Sequence, residues 1–367
     1  MKTITSLAAG GVLLAFLAGA AAQGETISLT FELFRSLEVT PAAARVAMAL
    51  QSNRYEFQIS NTTGTIRLAG SEVNLRVQKK GATFYIGLDS DGDGSVGSSE
   101  YRRVLTSRGR ARSLAFRVKA GGKDRAVIIT DLSCLSKGTA VAAYGNILPG
   151  GCMKGTYGGV TIRLIDDNLD GEFSQDGKDA IAIGRALGAV PLRTNHLLGK
   201  QHCRLKVSGD GDRVEIAPME DVKVGQVKLP MSSSIARSVV LVGKEGAYDV
   251  AALGAAGIPG GDYQLAYGII GDGASSLMMV PDRDALTYPI QADMINTPRM
   301  GKPFKLDFQP GASGDTLQIS SRGLRIIGAG GEVYVPIQFD QGGNASTPRL
   351  RVLTAGRAVL QDSMKFG

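Results

Sequence analysis

The stretch Thr83-Phe84-Tyr85-Ile86-Gly87-Leu88 runs directly into Asp89-Ser90-Asp91-Gly92-Asp93-Gly94-Ser95-Val96-Gly97-Ser98-Ser99-Glu100. Its first six residues set the fold class, because β-branched and aromatic side chains with a glycine among them make a poor helix and a good strand. The same texture recurs in both directions as short alternating or continuous apolar runs bounded by Gly, Asn and Asp. It predicts strands over 26–33, 55–59, 65–68, 73–77, 83–88, 114–118, 126–130, 160–165, 179–183, 204–207 and 213–216. Helical periodicity is confined to 41–49 and a short turn at 99–105. With 49 glycines and no tryptophan in 367 residues, the chain reads as mainly β. The expected architecture is multiple β-sandwich-like domains with loops between strands and little helix outside the first 22 residues.

Length alone calls for about two or three domains, each able to bury a core. Residues 1–22 have the layout of an export signal: Lys2, an apolar run from Leu7 to Leu17, then small residues ending at Ala22. Residues 23–217 form a β-rich region in which one pattern occurs twice. A strand, an acidic loop and a later strand pair appear first as 83–88, the loop from Asp89, 116–119 and 125–129. They reappear as 160–165, the loop from Asp166, 203–206 and 213–216, which suggests two related modules or the halves of one sandwich. Residues 218–300 are punctuated by proline, and 301–367 alternate in the manner of an immunoglobulin-like or transthyretin-like sandwich.

The acidic loop after Leu88 carries the strongest chemical signal. Calcium takes about six to eight oxygen ligands, and a loop supplies them from alternate positions while a glycine permits the sharp turn. Asp89, Asp91 and Asp93 occupy the first, third and fifth positions, Gly94 the sixth, Ser95 the seventh and Glu100 the twelfth. A second loop, Asp166-Asp167-Asn168-Leu169-Asp170-Gly171-Glu172-Phe173, repeats the oxygen ligands at Asp166, Asn168 and Asp170, with Glu172 following the turn glycine. Gly177 stands at its twelfth position, so a closing carboxylate must come from Asp176 or Asp179. Crowded carboxylates repel unless a cation neutralises them.

Over its twelve residues the first loop resembles the calcium-binding loop of the EF-hand family. The resemblance implies that Ser95 offers its carbonyl and that Glu100 closes the shell with both carboxylate oxygens. The flanks depart from that family, since a strand and not a helix enters the loop, and the module would hold calcium without the helix-pair opening of a sensor. The second loop is similar to D-x-N-x-D-G-x-F loops of exported bacterial β proteins, a likeness that assigns no activity.

A net charge of +7 is spread over scattered Lys and Arg. The densest basic run, Arg102, Arg103, Arg108, Arg110 and Arg112, lacks the interleaved aromatics of single-strand binders, so no nucleic-acid partner is expected. No segment after residue 22 is long and apolar enough to span a membrane. Of three cysteines, Cys134 and Cys152 are the expected disulfide, because Pro149, Gly150 and Gly151 let the chain double back between them, leaving Cys203 free. His196 and His202 are the only histidines, and Cys203 with them falls short of a zinc site. Nucleophile-elbow, zinc-hydrolase and phosphate-loop motifs are absent from the sequence. The leading expectation is a non-enzymatic protein, secreted or periplasmic, whose β domains are stabilised by calcium and serve surface, adhesion or partner-binding roles toward a protein or glycan. The rivals are a secreted hydrolase acting on glycans with structural calcium, and a calcium-dependent carbohydrate-binding module.

Overall fold

The computed structural model describes residues 24–34, 56–59, 62–104 and, with breaks at 105, 108–109, 112, 138–139, 187, 255, 272–275, 283–285, 308–309, 314–315, 320–324, 338–348 and 355–356, residues 106–363. The export signal expected at 1–22 and the helix expected at 41–49 lie outside the described residues. Within them the chain is mainly β, with a single turn of 3-10 helix at Ser98–Glu100. No described helix is long and apolar enough to cross a membrane.

Strands β1 (Glu25–Ser28) and β2 (Thr30–Leu33) open the fold, followed by β3 (Glu56–Ile59), β4 (Thr63–Leu68), β5 (Ser71–Lys80), β6 (Thr83–Leu88) and β7 (Tyr101–Arg103). A short hairpin of β8 (Thr106–Ser107) and β9 (Arg110–Ala111) leads to β10 (Leu114–Ala120), β11 (Lys123–Lys137) and β12 (Ala140–Pro149). Sheets β4-β5-β6-β7 and β10-β11-β12-β3 close over one core containing Val73, Leu75, Val77, Ile86 and Leu88 from the first and Phe116, Val118, Val127 and Ile129 from the second. On β5 the alternation decides the faces: Val73, Leu75 and Val77 point inward, and Asn74, Arg76 and Gln78 lie on the opposite face. That polar face continues the pleat beyond the apolar residues, which is why β5 runs past the predicted 73–77.

The chain then builds β13 (Gly151–Tyr157), β14 (Val160–Ile165), β15 (Ala180–Ile183), β16 (Val190–Pro191), β17 (Asn195–Leu198), β18 (Gln201–Val207) and β19 (Arg213–Pro218). These recruit the opening strands, in sheets β16-β15-β14-β13-β2 and β1-β19-β18-β17. Leu33 pairs with Gly151 and Ile27 with Val214, so the unit holding residues 56–149 is inserted into a carrier unit whose strands flank it in sequence. Both units follow one plan. An opening strand pair splits between two sheets, a hairpin enters an acidic loop, a strand returns beside the hairpin, and a three-stranded meander completes the second sheet. By sheet position β18 corresponds to β11 and not to β10, so the sequence echo of 116–119 with 203–206 is one strand out of phase with the topology.

The carrier core continues past Pro218, taking in Val240, Ala247, Tyr267 and Ile269. The remaining strands are β20 (Val224–Val227), β21 (Ala236–Gly243), β22 (Ala247–Asp249), β23 (Ile258–Pro259), β24 (Gly261–Gly271), β25 (Ser276–Val280), β26 (Thr287–Ile290), β27 (Ile295–Asn296) and β28 (Lys305–Asp307). A hairpin of β29 (Pro310–Ser313) and β30 (Thr316–Ile319), then β31 (Arg325–Ile327), β32 (Val333–Ile337) and a hairpin of β33 (Arg349–Thr354) and β34 (Arg357–Ser363), complete them. One sheet runs β22-β21-β24-β25-β32-β31-β28, and β25 pairs with β32 across the boundary expected at residue 300. Strands on both sides of that boundary therefore share a sheet, while the β29-β30 and β33-β34 hairpins form sheets of their own.

Cys134, Cys152 and Cys203 are all free, which corrects the expected Cys134–Cys152 disulfide. The doubling back at Pro149–Gly151 carries the chain from one unit to the other. Cys134 lies opposite Ala143 and packs on the inserted core, whereas Cys152 lies opposite Glu32 and is buried with Ile165, Ala180 and Ala182 in the carrier.

Candidate metal centre

Strand β6 delivers Asp89 to the edge of the inserted core, where its backbone N–H bonds the Asn74 carbonyl at 2.9 Å and its carboxylate is buried. That carboxylate accepts the N–H groups of Gly92 at 2.8 Å and Gly94 at 3.0 Å, which wraps the loop around it. Gly92 and Gly94 take φ of +78° and +88°, a region that side chains beyond glycine enter at a cost. Asp91 Oδ1 accepts the N–H of Asp93, and Asp93 Oδ1 that of Ser95, turns that fix both side chains from behind. The result is that Asp89, Asp91 and Asp93 each offer a carboxylate oxygen, all within 4.8 Å of one another. Three such oxygens could hold a metal ion.

Glu100 is not gathered with that group. It is buried at the end of the 3-10 turn, where Oε1 accepts the N–H and Oγ–H of Ser90 and the N–H of Asp91, and Oε2 accepts the N–H of Gly97. Burial alone would raise its carboxyl, but the bonds from Ser90, Gly97 and Asp91 hold it below the usual carboxylate range. It staples the loop's two ends, where the resemblance implied a bidentate ligand. Ser95 is exposed, and its hydroxyl donates to Asp93. Asn74, whose amide donates to the Gly94 carbonyl at 2.8 Å, is a loop support that sequence reasoning missed. It comes from an alternate position of another strand, so no local spacing announces it.

The second loop reproduces the hydrogen-bond plan of the first. Asp166 accepts the N–H groups of Asp170 and Gly171, Asn168 Oδ1 accepts that of Asp170, and Asp170 Oδ1 that of Glu172. Gly171 takes φ +92°, as Gly94 does. Amide donors cover part of the negative charge: Asn168 Nδ2 and Gln175 Nε2 both reach Asp170 Oδ2, and Gln175 Nε2 also reaches Glu172. Asn168 stands where the first loop has Asp91, so among the described residues the tight carboxylate triad belongs to the first loop.

Of the two candidate closing residues, Asp176 is spent on a 2.7 Å ion pair with Arg193. Asp179 is 1 % exposed and immediately precedes β15, as Glu100 immediately precedes β7. Its Oδ2 accepts the Gln175 N–H at 2.7 Å, and its Oδ1 has no hydrogen-bond partner. Burial pushes the Asp179 carboxyl up to about 8, reinforced by Asp166, Asp170 and Asp167; burial likewise pushes Asp166 up to about 6. Comparison with protein-family models, with curated proteins and with solved structures finds no match to this chain.

Proposed function

We propose that this chain is an exported calcium-binding protein, in which calcium stiffens β units that serve surface, adhesion or partner-binding roles. The observation that supports the reading is the Asp89, Asp91 and Asp93 triad, which brings one carboxylate oxygen of each within 4.8 Å of the others on a loop that the backbone has already wrapped. All of these donors are hard oxygens, which select magnesium, calcium or manganese over zinc or copper. An open loop with carboxylate and carbonyl oxygens suits calcium's adaptable shell better than the strict octahedron of magnesium. Export is supported by the signal-like layout of residues 1–22, and extracellular modules bind calcium with Kd of about 10⁻⁴ to 10⁻³ M, a range that external calcium fills.

Calcium bound only by the folded chain raises stability by mass action, about 2.7 kcal/mol per site at 100 times Kd. Scanning calorimetry in calcium and then in chelator should therefore show a lower Tm in chelator. Asp91→Asn with Asp93→Asn should abolish the part of the shift due to the first loop while leaving the melting in chelator close to wild type. Identical melting curves with calcium and with chelator would remove the basis of the proposal.

A further inference from the structure

We infer that the second loop is a calcium-held clasp between the carrier and the inserted unit, closed by Asp179; the inference rests on the calcium reading above. The loop divides its residues by alternation. Asp166, Asn168 Oδ1 and Asp170 Oδ1 accept N–H groups of the loop's own backbone, while Leu169, Gly171 and Phe173 reach across to the inserted unit. Leu169 packs against the inserted unit's hydrophobic core, and its carbonyl accepts the Ala69 N–H at 2.8 Å. The Gly171 carbonyl accepts Arg125 Nη2 at 3.0 Å, and the Arg125 guanidinium lies over the Phe173 ring at 5.5 Å. A Cβ on Gly171 would meet that of Ala69 at 2.7 Å, so the two backbones touch directly.

The acidic residues alone would not make a site, but Asp179 adds an independent sign. Its Oδ1 is buried without a hydrogen-bond partner, and its other oxygen holds Gln175, the residue whose amide bridges Asp170 and Glu172. A buried acceptor left unmet costs free energy that a cation would recover. Asp166, Asn168 Oδ1, Asp170 and Asp179 are the oxygens an ion would draw together, since among the described residues only the first loop's carboxylates already lie within 4.8 Å of one another, and Asn168 Oδ1 keeps a second lone pair beyond the one used by Asp170 N–H. The ion would replace the Gln175 amide as the positive partner of Asp170. Holding the ligating positions rigid also holds Leu169, Gly171 and Phe173 in register with Ala69 and Arg125, so calcium would govern how firmly the two units are joined.

The test is hydrogen exchange of the Ala69 amide in residues 23–367, with calcium stoichiometry from calorimetry on the same samples. With calcium at about 100 times Kd, exchange at Ala69 should slow by about 100-fold in the wild type. Asp91→Asn with Asp93→Asn should lose one ion and keep that slowing. Asp166→Asn with Asp179→Asn should lose the other ion and the slowing; Asp170→Asn, at an exposed position, serves where the buried pair is not tolerated. Leu169→Ala should bind two ions and exchange fast at Ala69. If calcium binds at both loops and leaves Ala69 unchanged, or binds only at the first loop, the clasp is wrong and the calcium reading stands. If calcium binds at neither loop, both fall.

Discussion

At the scale of single residues, two positions bear more on stability than their size suggests. Gly171 combines a left-handed backbone, φ +92°, with the 2.7 Å approach to Ala69. Gly81 is a natural control, since it has φ +61° and nothing within 4 Å of an added Cβ. Gly81→Ala should cost only the conformational penalty, about 1–2 kcal/mol, whereas Gly171→Ala should cost about 1–3 kcal/mol more because two backbones must part. Urea unfolding of the two variants measures the difference, and equal losses would show that the close approach is not under tension. His196 supplies the other case. It is fully buried on β17, its Nε2 accepts the Arg193 N–H at 3.1 Å, and burial pushes its pKa down to about 4 from an ordinary 6.5. The unfolded chain therefore takes up a proton between pH 6.5 and 4 that the folded chain refuses, so stability falls as the pH drops through that window and levels off below it. The loss should approach about 3 kcal/mol, and His196→Gln, which keeps an acceptor and cannot titrate, should show a shallower decline in urea unfolding followed from pH 7 to 4.

At the scale of elements, the strands were legible because alternation and turn chemistry are local. Thr83–Leu88 and Val160–Ile165 match their predicted bounds, and both acidic loops fall where spacing put them. The carboxylates at positions one, three and five of the first loop, which the fold gathers within 4.8 Å of one another, were legible for the same reason. The closing residues were legible in part, Glu100 from the twelfth position and Asp179 as one of two alternatives with Asp176. Glu100 and Asp179 are equivalent because each stands just before the strand that returns beside the entry strand, a relation set by pairing and not by counting residues. Leu169 did carry an unread signal. The first loop has Gly92 at the corresponding place, and a leucine at φ +60° inside an acidic loop is costly unless its side chain is held elsewhere. The disulfide expectation failed at this scale too, since a turn-rich link reports that the chain reverses and is silent on which sheet it enters.

At the scale of the whole molecule, nesting is the feature that periodicity could not reveal, because it depends on β2 choosing β13 across the entire inserted unit. The two crossing points lie side by side: the Phe34 N–H bonds the Gly150 carbonyl at 2.9 Å, and Glu56 pairs with Asn146 at the inserted unit's own ends. The buried residues of the inserted core all come from between Phe57 and Ile147. An insertion with adjacent ends and a core of its own should fold alone, and its removal should leave the carrier able to close. Residues 54–150 expressed separately should therefore unfold in one cooperative urea transition with an m value of about 1–2 kcal/mol/M. The carrier with 35–149 replaced by a short Gly-Ser turn should also unfold cooperatively, because Leu33 and Gly151 remain neighbours. It should do so at lower urea than in the intact chain, since Leu169 and Phe173 then lose Leu68, Ala69 and Arg125 as a docking surface. A fragment 54–150 that shows no cooperative transition would mean that the inserted unit owes its fold to the carrier, and that the join between them is an obligatory part of one core.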